Sequence, residues 1–167
     1  MKVCPKPGSA GTGPSFGGKK RNGFTLVELL IVVAVMLTIA AMAVARFLAA
    51  KEAAQYAKAV SDIRTLGGQI VIYEIDHDGE APDTLDDLGY GYLKDPWGNQ
   101  YQYLNFANVH GNGQMRKDHF LVPINTSFDL YSMGPDGASV SPLTAKASRD
   151  DVIWAGDGAF VGKASDF

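Results

Sequence analysis

The chain has 167 residues, among them 15 basic and 18 acidic side chains and one cysteine. This length suits one domain with an appendage and excludes a multi-domain enzyme. A single cysteine excludes an internal disulfide framework and a zinc site built from cysteines. The net charge of −3 argues against binding to nucleic acid, which usually requires a basic surface.

The charges are distributed unevenly along the chain. Residues 1–23 contain five basic side chains and no acidic one. The remaining 144 residues therefore hold 15 − 5 = 10 basic against 18 acidic side chains, a net charge of −8. The first segment is rich in Gly, Pro, Ser and Lys and has no hydrophobic periodicity, which predicts disorder.

An apolar run follows at residues 24–45. As a helix, these 22 residues span about 33 Å, which matches a hydrocarbon core of about 30 Å. The basic residues 19–21 predict that the amino-terminal end stays in the cytoplasm and that the rest of the chain is translocated. A cleavable secretory signal is the alternative, because the small residues 40–45 resemble its cleavage site.

Glu28 is the only charged residue in this run. A carboxylate inside a bilayer costs on the order of 2.5–3.5 kcal/mol and normally has a partner. No cation lies within the run, so we expect the partner to be a free amino terminus at Phe24, created by a cut after Gly23. That amine lies one helical turn from Glu28 and can also pair with Glu28 of a neighbouring subunit.

Residues 19–30, Lys-Lys-Arg-Asn-Gly-Phe-Thr-Leu-Val-Glu-Leu-Leu, resemble the processing site of type IV pilins and type II secretion pseudopilins. The resemblance implies that a prepilin peptidase cuts after Gly23 and methylates the new amino-terminal Phe24. It also implies that Glu28 pairs with the amine of an adjacent subunit during filament assembly. Ala45 departs from the pattern, because these proteins often carry a proline near this position.

A single long helix is predicted from Phe24 to about Asp76. No Gly or Pro interrupts residues 24–66, and apolar residues beyond position 46 recur at steps of three and four. This stripe consists of Tyr56, Val60, Ile63, Leu66, Ile70 and Tyr73. The outer half of such a helix is unstable alone, so the stripe predicts a small domain packed on it. Gly67 and Gly68 predict a bend.

Short strands are predicted at residues 101–106 and 128–132, and a third at residues 120–124. The predicted fold class is therefore α+β, a long amino-terminal helix packed on a small antiparallel sheet. The chain is divided into a leader peptide (1–23), a transmembrane and filament-core helix (24–45), an amphipathic helix (46–78) and a periplasmic globular part (79–167).

Three further segments resemble the major pseudopilin of type II secretion, in matching order: residues 58–63, 94–103 and 128–137. With the amino terminus, the resemblance covers most of residues 18–137. It implies one calcium ion in the loop after the last of these segments. The implied ligands are the carboxylates of Asp136, Asp150 and Asp151 and the main-chain carbonyls of Met133 and Ala138.

The predicted calcium loop differs from the family pattern. Asp150 lies 14 positions after Asp136, the family's glycine-rich link is missing, and Lys146 and Arg149 lie between the two. Calcium takes six to eight oxygen ligands in a flexible loop, of which three carboxylates are a reasonable share. The alternative is a solvated acidic loop, in which Asp150 pairs with Arg149 or caps a helix.

The resemblance implies a structural subunit and not an enzyme: a type II secretion pseudopilin that polymerises into a periplasmic filament for protein export. Its implied partners are copies of itself, prepilin peptidase, other pseudopilins, the inner-membrane secretion platform and the lipid bilayer. The alternatives are a type IV pilus subunit and a membrane-anchored periplasmic binding or enzymatic domain. The sequence contains no serine-nucleophile elbow and no phosphate-binding loop, and its three histidines show no metal-ligand spacing.

Overall fold

The computed structural model describes residues 23–167. The predicted disorder of the leader and the predicted role of the basic residues 19–21 concern residues outside the described range. The elements are one α-helix, α1 (Leu26–Asp76), and four strands, β1 (Gln102–Asn105), β2 (Phe128–Ser132), β3 (Val152–Ala155) and β4 (Phe160–Lys163). Three 3-10 turns lie at Phe106–Asn108, Lys146–Ser148 and Ala164–Asp166. The chain forms two compact units, Met1–Ala43 and Val44–Phe167.

The described part of the first unit is the amino-terminal portion of α1 and the residues just before it. Every side chain from Gly23 to Ala43 is exposed. The helix is long and apolar enough to cross a membrane, with a mean hydropathy of 2.7 over an 18-residue window of which no part is buried. The hydroxyl of Thr38 donates to the carbonyl of Val35 at 2.8 Å, which satisfies this polar group within the helix.

In the second unit, the remaining part of α1 packs on a four-stranded antiparallel sheet. The strand order is β1-β2-β3-β4, so each strand pairs with its neighbours in sequence. The helix contributes Ala59, Ile63, Leu66 and Ile70, all fully buried, to a cluster that includes Leu130 and other sheet residues. The predicted α+β fold class and the predicted apolar stripe are confirmed.

The helix ends where its sequence predicts. Asp78 and Gly79 adopt φ angles of 54° and 91°, a left-handed conformation that terminates helices. The amide of Gly79 donates to the carbonyl of Glu74 at 2.7 Å, so one of the last helical carbonyls is satisfied. Gly67 and Gly68 do not interrupt the helix.

Two of the predicted strands form, and the third does not. Strand β2 has the predicted bounds, and β1 is one residue shorter at each end than predicted. The prediction of a strand at residues 120–124 is wrong: amide-to-carbonyl bonds in both directions between Asp118 and Leu121, of 3.0 and 2.7 Å, close a tight turn there. His119 has φ 47°, and Phe120 is fully exposed. The segment therefore does not pair as a strand, and Ile124 at its end is the one residue of 120–124 that is buried.

Strands β3 and β4 were not predicted. All four residues of β3 are buried, because Val152 and Trp154 face one hydrophobic cluster and Ile153 and Ala155 face the other. A strand buried on both faces reads as a continuous apolar run without alternation. The available signal was the tetrapeptide Val-Ile-Trp-Ala followed by a Gly-Asp-Gly turn.

Candidate functional site

Glu28 and Thr25 form a reciprocal cap at the start of α1. The backbone amide and the hydroxyl of Thr25 donate to Oε2 of Glu28 at 2.9 and 2.8 Å. The amide of Glu28 donates to the hydroxyl of Thr25 at 3.2 Å. Because the helix begins at Leu26, this is the arrangement known as a capping box, which satisfies otherwise unpaired amides of the first turn.

The capping box gives Glu28 a partner that the sequence analysis missed. In the uncut chain Thr25 binds the carboxylate, and its pairing with an amine at Phe24 stays a prediction. The signal was present, since a threonine three residues before a glutamate at the start of an apolar run is typical of a helix amino terminus. The carboxylate also lies at the positive end of the helix dipole, which stabilises its charge.

The junction at Gly23 and Phe24 lies just before this cap. Both residues precede the helix, and the side chain of Phe24 is 89% exposed. A Cβ atom added at Gly23 would meet no atom within 4 Å. The peptide bond between the two residues therefore lies in exposed, non-helical backbone, which is the kind of segment that a peptidase can bind. Cleavage and methylation there stay predictions.

The second candidate site is the loop that follows β2. Its start is held by Asp95, whose buried carboxylate accepts bonds from the amides of Trp97 and Asn99 at 3.0 and 2.9 Å. The other oxygen of Asp95 accepts from the hydroxyl of Ser132 at 2.6 Å. The turn at residues 95–99 is thus tied to the end of β2.

Asp136 and Asp150 approach each other in this loop. The amide of Asp136 donates to Oδ2 of Asp150 at 3.4 Å, and Oδ1 of Asp136 accepts from the amide of Ala138 at 2.8 Å. Gly134 makes the approach possible: a Cβ atom there would lie 2.5 Å from the carbonyl oxygen of Asp150. The side chain of Asn99 donates to the carbonyl of Gly134 at 3.2 Å, closing the loop on the turn at residues 95–99.

Asp151 is directed elsewhere. Its Oδ2 accepts from the guanidinium of Arg116 and from the hydroxyl of Ser139, while Oδ1 is buried without a hydrogen-bond partner. Burial raises the pKa of Asp151 to about 6, against the lowering effect of the hydrogen bonds from Ser139 and Arg116. The carboxylate pairs with Arg116, and this pairing favours its ionised form.

The predicted calcium ligands are thus only partly brought together. The backbone amide of Asp136 contacts the carboxylate of Asp150, whereas Asp151 is bound by Arg116, which no local sequence pattern links to this loop. Across residues 23–167, no three or more His, Cys, Asp or Glu side chains are grouped so that they can hold one metal ion. The roles of Asp136, Asp150, Asp151, Met133 and Ala138 as calcium ligands stay predictions.

The chain is similar to several characterised proteins. The family described as "Prokaryotic N-terminal methylation motif" matches residues 18–44. The type II secretion system core protein G of Vibrio cholerae serotype O1 is 36% identical over 138 residues, covering 71% of this chain and 84% of the relative. The protein of the same name from Escherichia coli K12 is 33% identical over 139 residues, with 71% and 84% covered.

A third relative, the type II secretion system core protein G of Pectobacterium carotovorum, is 30% identical over 141 residues, which is 72% of this chain and 80% of that protein. No solved structure matches the chain significantly. The chain therefore belongs to the family of type II secretion system core protein G, the major pseudopilin.

Proposed function

We propose that this chain is a structural subunit of a type II secretion pseudopilus and that it has no catalytic role. The observation that carries the proposal is its amino-terminal segment. An exposed junction at Gly23 and Phe24 precedes the cap formed by Thr25 and Glu28, and an apolar helix with no covering partner follows. The name of the relatives supplies the secretion context.

Processing by prepilin peptidase after Gly23 leaves Phe24 with a charged amine. A carboxylate binds an ammonium group more strongly than it binds a neutral amide or hydroxyl, and most strongly where water is excluded. The carboxylate of Glu28 therefore exchanges Thr25 for the amine of an adjacent subunit as the filament forms. In this scheme Thr25 holds Glu28 before assembly, and the amine of the neighbour holds it afterwards.

Before assembly, residues 24–45 anchor the subunit in the inner membrane. All large apolar side chains of this segment are exposed in the isolated chain, and lipid covers them in the membrane. In the filament, copies of the same helix replace the lipid, so the segment serves both as anchor and as filament core. The acidic second unit then lies in the periplasm, where it meets other pseudopilins and the secretion platform.

Calcium binding in the loop after β2 remains a separate prediction of this proposal. The approach of Asp136 to Asp150 and the unpaired Oδ1 of Asp151 support it. The pairing of Asp151 with Arg116 weakens it, because that arginine already supplies a positive charge. The melting temperature with and without calcium decides between the two cations.

Replacing Glu28 by alanine tests the assembly step. We expect Glu28→Ala to be cleaved after Gly23 but to yield at least tenfold less filament, because a charge-assisted pair between subunits contributes about 1.5–3 kcal/mol. Intact-mass measurement of membrane-extracted protein reports cleavage, and sheared-filament yield reports assembly.

Glu52→Ala is the matched control, since Glu52 is an exposed glutamate on the same helix. It should assemble as the unsubstituted chain does. Normal filament yield from Glu28→Ala would remove the pairing argument. An unsubstituted chain whose mass corresponds to Met1–Phe167 would remove the filament proposal altogether.

A further inference from the structure

Arg116 is a buried cation in the second unit, only 3% exposed. Its guanidinium binds the carboxylate of Asp151 and the hydroxyl of Ser139, and it donates to the carbonyl of Val140 at 2.9 Å. Its carbon Cζ lies 4.1 Å from the ring centroid of Tyr131. One positive charge is thus surrounded by three oxygen groups and the face of an aromatic ring.

The backbone of Arg116 is anchored as firmly as its side chain. Its amide donates to Oδ2 of Asp129 on β2 at 2.6 Å. The following residue, Lys117, exchanges backbone bonds of 3.1 and 2.9 Å with Ser141 and Leu143. The guanidinium is therefore positioned by β2 on one side and by the loop after β2 on the other.

The oxygen groups around Arg116 all belong to the segment for which the family resemblance implies calcium. Asp151 is one of the implied carboxylate ligands, and Ser139 and Val140 directly follow Ala138, whose carbonyl was another. A carboxylate, a hydroxyl and a main-chain carbonyl are the hard oxygen donors that calcium prefers, yet here they converge on a guanidinium. A divalent ion beside a buried guanidinium would be repelled by it.

We propose that Arg116 is the resident cation of this loop and takes the structural role of a divalent metal. It draws residues 139–140 and the start of β3 together around its charge, so that the loop keeps its shape without bound calcium. The proposal is independent of the proposed secretion function, because it concerns only how the second unit is held together. Arg116 acts here as a positioning residue and not as a binding residue.

The first test compares the full processed chain in detergent with a calcium chelator and with millimolar calcium. If Arg116 supplies the charge, the melting temperature is the same in both conditions, because there is no folded-state calcium site to fill. A melting temperature that rises with calcium overturns the proposal and supports calcium at Asp136 and Asp150. Calcium binding by equilibrium dialysis on the same sample gives an independent reading.

The second test removes the charge. Arg116→Gln leaves Asp151 as an uncompensated buried carboxylate, so we expect the melting temperature to fall by at least about 10 °C. Lys117→Gln is the matched control: it removes a neighbouring, less buried cation and should change the melting temperature little. An unchanged melting temperature in Arg116→Gln contradicts the proposal.

A double substitution separates charge pairing from packing. Asp151→Asn combined with Arg116→Gln removes the orphaned charge and should recover part of the lost melting temperature. If Arg116 only filled space, the decreases in melting temperature caused by the two single substitutions would add instead. Should Arg116→Gln fail to fold, the recovery of folded protein in the double variant provides the same reading, and its absence counts against the proposal.

Discussion

Tyr101 couples the helix to the sheet of the second unit through one hydroxyl. Its ring is 6% exposed, and its hydroxyl donates to Oδ2 of Asp62 on α1 at 2.9 Å. Burial, followed by this hydrogen bond to a carboxylate, raises the pKa of Tyr101 far above its usual value of 10. The phenol therefore stays neutral in the folded chain.

This raised pKa makes the fold sensitive to alkali. Above about pH 10 the unfolded chain releases the Tyr101 proton while the folded chain retains it, so Tyr101 alone lowers the free energy of unfolding by about 1.4 kcal/mol per pH unit. The contribution of Tyr101 to the free energy of unfolding is fully present below pH 10 and is lost as the pH rises beyond it. Denaturant titrations at several alkaline pH values measure the slope.

Tyr101→Phe should reduce this slope by the contribution of one tyrosine. Tyr92→Phe is the control, because its ring is 79% exposed and changes its surroundings little on folding. If the free energy of unfolding falls equally fast with pH in the unsubstituted chain and in Tyr101→Phe, Tyr101 ionises in the folded chain and the prediction is wrong.

At the scale of elements, the contact between α1 and β3 depends on two adjacent glycines with opposite roles. A Cβ atom at Gly67 would lie 2.4 Å from two ring carbons of Trp154, whereas one at Gly68 would meet nothing within 4 Å. The ring of Trp154 cannot retreat easily, since it is also packed on Gly158, where a Cβ atom would lie 2.6 Å from Cζ2 of the ring. The first glycine is therefore required by packing and the second is not.

Alanine substitutions at the two positions should change the free energy of unfolding in opposite directions. Gly67→Ala is expected to destabilise the second unit by about 1–3 kcal/mol through overpacking. Gly68→Ala is expected to stabilise it by up to about 1 kcal/mol through helix propensity. Thermal unfolding of both variants under the same conditions measures the difference. Two shifts of the same sign would mean that Trp154 moves freely away from the helix.

From the sequence both glycines predict a bend in the helix, and this interpretation misses the packing of Gly67 against Trp154. Local patterns predict where a helix continues, and α1 was predicted well because no Gly or Pro interrupts residues 24–66. They do not reveal which ring will pack on a given residue, because Trp154 is distant in sequence. The same limit explains why Arg116 was missed, since its partner Asp151 lies 35 positions away.

At the scale of the molecule, both hydrophobic clusters lie inside the unit Val44–Phe167. A chain that begins at Arg46 retains every buried residue of both clusters. We expect it to be soluble without detergent and to unfold in one cooperative transition, because the described part of the removed segment, residues 23–45, contributes no buried side chain. Circular dichroism during heating measures this transition.

A chain that begins at Gly68 is the matched comparison, because it lacks Ala59, Ile63 and Leu66 from the first cluster. Loss of these fully buried side chains removes several kcal/mol of hydrophobic stabilisation, comparable to the whole stability of a domain. It should not unfold cooperatively. A cooperative transition in this shorter chain would mean that the sheet is stable without the helix.

The sequence by itself determined the amino-terminal half of this protein. The processing motif, the length of the apolar run and the isolated charge of Glu28 are local properties, and an exposed helix depends on little else. Strand β2 was also predicted, because its bounds follow from local composition and turn residues. These features needed no knowledge of distant contacts.

Only the tertiary structure decided how the acidic second unit is held together. The strand β3 is buried on both faces, so its sequence carries no alternation to predict it. The apolar residues 120–122 form an exposed turn instead of a strand because no neighbouring strand pairs with them. Asp151 pairs with Arg116 and does not join Asp136 and Asp150, because a buried carboxylate pairs with whichever cation the fold brings within reach.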